Sequence, residues 1–429
     1  MKHMKISIVL LALLLAAMAI VPCVSAVEDN GLQDAVNVFS SEKMQRVDIS
    51  EAQSIASANV KLMADQGDEF ADWNAASVQY STSYFDLDNQ ITAYSFDVIV
   101  DGKYDGYILT SATTQNYPVL SLSKGKIPNA DQVYTEKTVK DANTAAKRKD
   151  LIVGEVRPVY LGGLAFLHEY TLTDTEGIVK EQVFVDLHTG NLAEITNKSA
   201  RTDLPIDRKD SARILQEKQS DIERSWSLQR KLANGDNSVL TTVAGSQTRS
   251  LYTNTVSGVP LYFWRTGCSP TAAGMVLGYW QSHGYSSLPT GYTLIDELAN
   301  AMGTARFWPF DGATLPTRID SGITTVAAQH GYYNLRGTSV YAPTFGDDMN
   351  EIDASRPFVI SMLNGGTGAG RSTPYGQHSV ACLGYMNSVP QLVKIYDTWE
   401  VPGDPTNYNY HWLQYGNWGW AMNTYARPI

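Results

Sequence analysis

Near residue 250 the character of the chain changes, and that break limits what it can fold into. From Leu251 onward charged residues are sparse, and seven of the nine tryptophans lie there: Trp264, Trp280, Trp308, Trp399, Trp412, Trp418 and Trp420. Before the break the charge density is about double. The asymmetry marks two units with different tasks. The chain has 429 residues, 43% of them hydrophobic, so each half can bury a core of its own. A net charge of −11 argues against a nucleic-acid binder, which needs a basic face to displace counterions. It also disfavours docking to anionic lipid. Three cysteines, Cys23, Cys268 and Cys382, are too few for a disulfide scaffold or a cysteine-rich metal centre. Neither a metal nor another cofactor is expected.

The N-terminus reads as an address. Lys2 and Lys5 precede an apolar run from Ile6 to Val21, and Val24-Ser25-Ala26 supplies small residues for cleavage. A run of ~16 residues is short for a spanning helix, which needs about 20. Removal of residues 1–26 takes Cys23 with it and leaves an exported chain with no stable membrane anchor.

Residues 27–200 read as mixed α/β. Ser50-Glu-Ala-Gln53 has the pattern of a capping box, followed by Ala52, Ile55, Ala56, Val60 and Met63 at helical spacing. Strands over Ile91–Val100 and Tyr107–Ala112 flank an Asp101-Gly102 turn, a strong hairpin signal. A second strand group covers Arg157–Thr173 and Glu181–Glu194, with a turn at His188-Thr-Gly190-Asn191. Residues 201–235 are helical in pattern, with Leu215, Ile222, Trp226 and Leu232 on one side. The polar stretch 235–250 has no period and reads as an exposed connector. Asp86-Leu-Asp88-Asn89 lacks a calcium ligand set and reads as an Asx turn. Asn197-Lys-Ser199 is a glycosylation sequon.

The sharpest chemical signal is Arg265-Thr-Gly-Cys268-Ser-Pro-Thr-Ala-Ala-Gly-Met275-Val-Leu-Gly-Tyr-Trp280. Pro270 suits a first helical position with Ser269 as its cap. Ala272, Met275, Val276 and Tyr279 then form the apolar stripe of a buried helix. Cys268 falls at the helix N-terminus, where unpaired N–H groups and the dipole favour a thiolate. Gly267 lets a substrate backbone come close. The alternative is an ordinary buried cysteine, which has no need of that cap.

A thiol nucleophile needs a base. His283, His330, His378 and His411 lie in the second half, and His378 has the best setting. It follows Gly365-Gly-Thr-Gly-Ala-Gly370 and opens the apolar run Ser379–Tyr385, so that His378, Val380 and Cys382 share a strand face. The glycine loop lacks the Lys-Ser/Thr of a phosphate loop, and no helix follows. The imidazole in turn needs an orienting acceptor. Val393-Lys-Ile-Tyr-Asp397-Thr-Trp399 is a strand ending in a carboxylate nineteen residues beyond His378. Adjacent antiparallel strands at that spacing place the two side by side, with Trp399 as a cover against water. The alternatives are a surface histidine and a turn-forming aspartate. Asn417, just before Trp418-Gly-Trp420, is a second candidate for the orienting role.

This order of Cys268, His378 and Asp397-Thr-Trp399 resembles the papain-like cysteine peptidases, and within them the bacteriocin-processing, double-glycine-leader branch. Thr266-Gly-Cys268 with Thr271-Ala272, and Trp418-Gly-Trp420, also resemble the streptopain branch. The likeness covers residues ~250–429. It implies an α+β fold with the nucleophile helix packed on an antiparallel sheet. It implies Cys268 as nucleophile, His378 as base and acid, and Asp397 as orienter. It further implies an oxyanion hole made from the Cys268 backbone N–H and a Gln side chain six residues earlier. That position is Tyr262 here, so Tyr262 donates its hydroxyl, another group does, or the hole is incomplete. Loss of one such donor costs ~2.7–4 kcal/mol. Ala93-Tyr-Ser-Phe96 through Gly106-Tyr107-Ile-Leu, with Trp73 upstream, resembles the inhibitory propeptide of streptopain-type zymogens. Residues 157–195 resemble small domains attached to secreted peptidases.

The expected organisation is a signal peptide over 1–26, a propeptide-like α/β domain over 27–128, a small β-rich lobe over 129–200, a helical connector over 201–250 and a catalytic domain over 251–429. The expected activity is that of a secreted cysteine peptidase made as a zymogen. Its partners are a protein or peptide substrate in an aromatic-lined cleft and its own N-terminal domain as intramolecular inhibitor. A catalytically silent papain-fold module that binds peptide or surface polymer is the alternative. Transpeptidation shares the same thioester chemistry.

Overall fold

Asp101 and Gly102 both adopt positive φ, +50° and +74°, the backbone that a two-residue hairpin demands. This hairpin lies in the N-terminal half of a computed structural model that describes residues 45–66, 68–127, 132–187, 192–193, 208–240, 252–305, 312–363, 378–399, 410–418 and 420–429. The expected boundaries near 128, 200 and 250 fall outside the described residues. So do the leader, the 188–191 turn, the 197–199 sequon and the 365–370 glycine run.

The N-terminal half opens with helix α1 (Ile49–Gln66) and a 3-10 turn, Asp68–Ala75. Strands β1 (Ser77–Phe85), β2 (Ile91–Val100), β3 (Lys103–Ser111) and β4 (Val119–Lys124) follow. Helix α2 (Gln132–Lys147) leads to β5 (Ile152–Tyr160), β6 (Phe166–Thr173), β7 (Val179–Asp186) and the short β8 (Leu192–Ala193). Helix α3 (Arg208–Ala233) closes this half. Asp48, not Ser50, caps α1: its Oδ1 accepts from the Glu51 N–H at 2.9 Å and from the Ser50 hydroxyl at 2.6 Å. The expected face, Ala52, Ile55, Ala56, Val60 and Met63, is buried. So are Ile222, Trp226 and Leu232 of α3, which packs on α1 through reciprocal Asn59–Gln229 hydrogen bonds of 2.7 and 3.1 Å. The Asp86 carboxylate accepts from the N–H groups of Asp88 and Gln90 at 2.9 and 2.8 Å, an Asx turn.

The C-terminal half holds β9 (Tyr252–Thr255), α4 (Cys268–Ser282), α5 (Gly291–Met302), α6 (Ile319–Gln329), β10 (Leu335–Tyr341) and α7 (Phe345–Asp353). Strands β11 (Phe358–Leu363), β12 (His378–Asn387), β13 (Leu392–Tyr396), β14 (Tyr410–Gln414) and β15 (Trp420–Pro428) complete it. Its core gathers α4, α5 and α6 against β11, β12, β13 and β15. This is an α+β fold with the helix that begins at Cys268 packed against an antiparallel sheet, as the resemblance implied. No described helix is long and apolar enough to cross a membrane.

One sheet runs through both halves, in the order β10-β15-β11-β12-β13-β14-β4-β3-β2-β1-β5-β6-β7-β8, with β9 added on β12. Among the described residues, every pairing is antiparallel except β1 with β5. The seam is β14 against β4, where Trp412 faces Leu122 and Leu413 faces Ser121. The two cores trade residues across it. Met386, Leu392 and Trp412 belong to the N-terminal core, while Leu164 belongs to the C-terminal one. Leu164 lies in the turn between β5 and β6, a break in what the sequence reads as one strand over 157–173. Gly162 and Gly163 supply the turn at φ +97° and +53°.

Candidate active site

Helix α4 is buried along its length from Ser269 to Tyr279, not along one stripe, and small residues make that possible. A Cβ at Gly274 would stand 2.9 Å from Ile295, and one at Gly278 2.7 Å from Pro260. The helix begins at Cys268, with Gly267 in the cap position at φ +141°. A Cβ on Gly267 would lie 2.4 Å from the Gly312 carbonyl oxygen. The backbone that glycine admits is therefore that of Gly312. Ser269 is not the cap. Its hydroxyl bonds the Ser379 hydroxyl at 2.9 Å, which bonds Ser361 at 3.0 Å. This buried chain ties the first turn of α4 to the first residues of β12.

The tie sets Cys268 beside His378. Cys268 is a free, half-buried thiol. Burial pushes its pKa up, but the His378 charge and hydrogen bond, the Ser379 N–H and the Ser269 hydroxyl together outweigh this and draw it down to about 7. Burial pulls the His378 pKa down, while Cys268 and Asp397 raise it by more, leaving it above the ordinary imidazole value. Both shifts favour a thiolate–imidazolium pair. His378 Nε2 lies 2.7 Å from the main-chain carbonyl of Asp397. A carbonyl only accepts, so Nε2 carries the proton and Nδ1 is left for the sulfur.

Asp397 thus meets His378 as the sequence spacing requires, but through a different atom. Its carboxylate is turned elsewhere. Oδ1 accepts from the Trp399 N–H at 2.8 Å, and Oδ2 lies 2.8 Å from His411 Nε2. His411 Nδ1 lies 2.8 Å from the Tyr107 hydroxyl, which is 3.2 Å from Ser121. Thr398, between Asp397 and Trp399, holds φ +72°, a conformation that costs a β-branched residue about 1–3 kcal/mol. Its carbonyl accepts from the Trp264 N–H at 2.7 Å. The Trp399 ring stacks on His378 at 5.1 Å and 7°, and Trp264 stacks on Trp399 at 6.3 Å. Two tryptophans therefore shield one side of the imidazole.

The structure does not bring the other candidates to the thiol. Tyr262 lies along α4, with its hydroxyl 2.9 Å from the place of a Gly278 Cβ, about 15 Å of helical rise beyond Cys268. Asn417 faces the N-terminal half instead, where its amide donates to Leu120 O at 3.2 Å and Tyr160 Oη at 2.8 Å. Apolar packing of the segment before α4 fixes the first, and the β14–β15 turn at the seam fixes the second. His283 stacks on Tyr279 at 3.9 Å, and His330 pairs with Glu297 at 2.7 Å. Sequence reasoning missed the connecting role of His411. The residue is visible among the four histidines, but its partner Tyr107 is 304 residues away.

A thiol on a buried helix, set against an imidazole on the first residue of an antiparallel strand, is the architecture on which cysteine hydrolases are built. Residues 256–426 match the Peptidase_C39 like family, which supports a cysteine peptidase at the level of family for this half. Among solved structures, the chain is similar to a fragment of prointerpain A from Prevotella intermedia, with 11% identity over 83% of this chain and 99% of that one and a TM-score of 0.37. No curated protein matches the chain.

Proposed function

We propose that this protein is an exported cysteine peptidase, synthesised with its N-terminal half as a prodomain. The observation that carries the reading is the Cys268–His378 pair, with the thiol lowered to about 7 and the imidazole fixed by the Asp397 carbonyl. His378 takes the thiol proton, and the sulfur attacks the peptide carbonyl carbon. The resulting oxyanion faces the Cys268 N–H at the start of α4. The intermediate collapses to a thioester as His378 gives its proton to the departing amine. His378 then takes a proton from water, whose oxygen attacks the thioester, and returns it to the sulfur as the acid leaves. Asp397 serves as orienter through its main chain. The export claim rests on the Lys2–Ala26 pattern.

A silent peptide-binding module is the second reading, favoured by the distance of the Tyr262 hydroxyl from Cys268. The reduced full chain, intact and after limited proteolysis within residues 235–250, is incubated with a peptide library and with a thiol-trapping epoxide. Cleavage that disappears in Cys268→Ala, with epoxide on Cys268, is the expected result. Peptide binding that persists in Cys268→Ala, without cleavage by the unmodified chain, selects the module instead.

A further inference from the structure

We infer that the N-terminal half supplies a positioning residue to the thiol–imidazole site, Tyr107, acting through His411 on Asp397. The inference rests on the peptidase reading and adds a part for the docked half within it. The hydrogen bonds run without a break from Ser121 to Tyr107 at 3.2 Å, Tyr107 to His411 at 2.8 Å and His411 to Asp397 at 2.8 Å. From Asp397 the main-chain carbonyl reaches His378 at 2.7 Å, and His378 reaches Cys268.

With His411 Nδ1 as the acceptor, every donor and acceptor in the chain is matched. The Ser121 hydroxyl donates to the Tyr107 oxygen, and Tyr107 donates to His411 Nδ1. His411 Nε2–H donates to the Asp397 carboxylate. Tyr107, His411 and Asp397 are 1%, 4% and 2% exposed, so water does not substitute for a missing partner and the chain is stiff.

Asp397 is the point where this chain acts on the site. The carboxylate holds the strained Asp397-Thr398-Trp399 turn from both oxygens, through Trp399 N–H and His411. The same turn presents the carbonyl that orients His378 and the indole that stacks on it. Loss of the Tyr107 hydroxyl leaves His411 Nδ1 buried and unpaired. The ring then tilts or changes tautomer, and a tautomer with Nδ1–H turns an acceptor toward a carboxylate. The turn loses its hold, and the imidazole loses its fixed angle to the sulfur.

The seam holds the strand carrying His411 in register. Beyond the β14–β4 pairing, Lys394 meets Glu69 at 2.6 Å, Trp412 Nε1 meets Glu69 at 3.3 Å, and Ser123 donates to Tyr410 O at 2.6 Å. With the N-terminal half docked, the Cys268–His378 pair stands assembled. The half therefore supports the site, whatever it does to substrate access.

The test reads the thiol directly and needs no peptide substrate. The full chain and its variants are alkylated with iodoacetamide at neutral pH, the Cys268 rate is followed by mass spectrometry, and folding is checked by thermal denaturation. Tyr107→Phe and His411→Leu are expected to slow alkylation about tenfold. His411→Gln, whose amide nitrogen reaches the Nε2 position, is expected to recover most of the rate. Tyr160→Phe removes another tyrosine bond across the seam, to Asn417, and is expected to leave the rate unchanged. An unchanged or faster rate in Tyr107→Phe overturns the inference while the peptidase reading stands. Equal slowing in Tyr160→Phe also overturns it, because seam loosening then explains the effect. A Cys268 no more reactive than a surface thiol in the unmodified chain overturns the peptidase reading and this inference together.

Discussion

The Gly267→Ala substitution isolates how backbone contact places the Cys268 thiol. Its new methyl carbon would stand 2.4 Å from the Gly312 oxygen and 3.2 Å from the Gly312 carbonyl carbon. Carbon–oxygen contacts settle near 3.3 Å, so the two backbones must part by roughly 0.9 Å. Gly312 has little room to yield, since it sits at φ +82° with its own Cβ position 2.9 Å from the Trp264 ring. Gly267 also holds φ +141°, where a residue with a Cβ is strained by about 1–3 kcal/mol. The overlap and the backbone strain both fall on the residue directly before Cys268, so the start of α4 is displaced. Cys268 then shifts by about 1 Å against an imidazole pinned by Asp397 and Trp399. A displacement of that size costs about 100-fold. The assay is the rate of epoxide labelling at Cys268, with circular dichroism to verify that the fold survives. A folded Gly267→Ala protein that labels within twofold of the unmodified rate refutes the reasoning.

The alkylation rate of Cys268 is expected to rise with pH through a midpoint near 7. At pH 7 half the sulfur is then thiolate, against about 3% for an ordinary thiol at ~8.5. His378→Gln removes the charge that lowers the midpoint, so the rise moves to higher pH and the neutral rate falls about 15-fold; a superimposable profile counts against the pair. His168 is buried, and that holds its pKa down to about 4 from 6.5. Its folded form resists protonation, so stability is full above about 6.5 and declines as pH falls toward 4, by about 3 kcal/mol in all. Urea midpoints across that window are expected to flatten in His168→Gln. Leu164→Ala empties a buried place in the C-terminal core and is expected to cost about 2–5 kcal/mol, read as a lowered midpoint for the whole chain.

What was legible in the sequence was local. The Asp101-Gly102 hairpin and the apolar face of α1 follow from turn chemistry and period alone. Cys268 at a helix start and His378 at a strand start are likewise fixed by a few neighbours each. The errors sit where two local solutions compete. Ser50 and Asp48 are both good caps, and the one farther upstream fills the position. Ser269 is a good cap as well, but its hydroxyl is drawn off to Ser379. Gly162-Gly163 hides between apolar neighbours, so a turn reads as continuous strand. The spacing from His378 to Asp397 fixes strand adjacency, yet which oxygen of Asp397 faces the ring depends on His411. That depends in turn on Tyr107, which no local pattern connects to residue 411.

The seam bears on what a cut in the 235–250 stretch would achieve. Cleavage there breaks one covalent link but leaves β14 hydrogen-bonded to β4. Trp412, Leu392 and Met386 stay in the N-terminal core, and Leu164 stays in the C-terminal one. Separation would expose those apolar side chains together with an unpaired strand edge on each part, and such edges invite aggregation. It would also open the Lys394–Glu69 pair at 2.6 Å, whose lysine side chain is only 12% exposed in the docked state. Proteolysis at the connector alone therefore leaves a nicked complex that keeps its halves together. Dissociation requires the N-terminal half itself to unfold or be digested, and the order of those events sets whether His411 ever loses Tyr107.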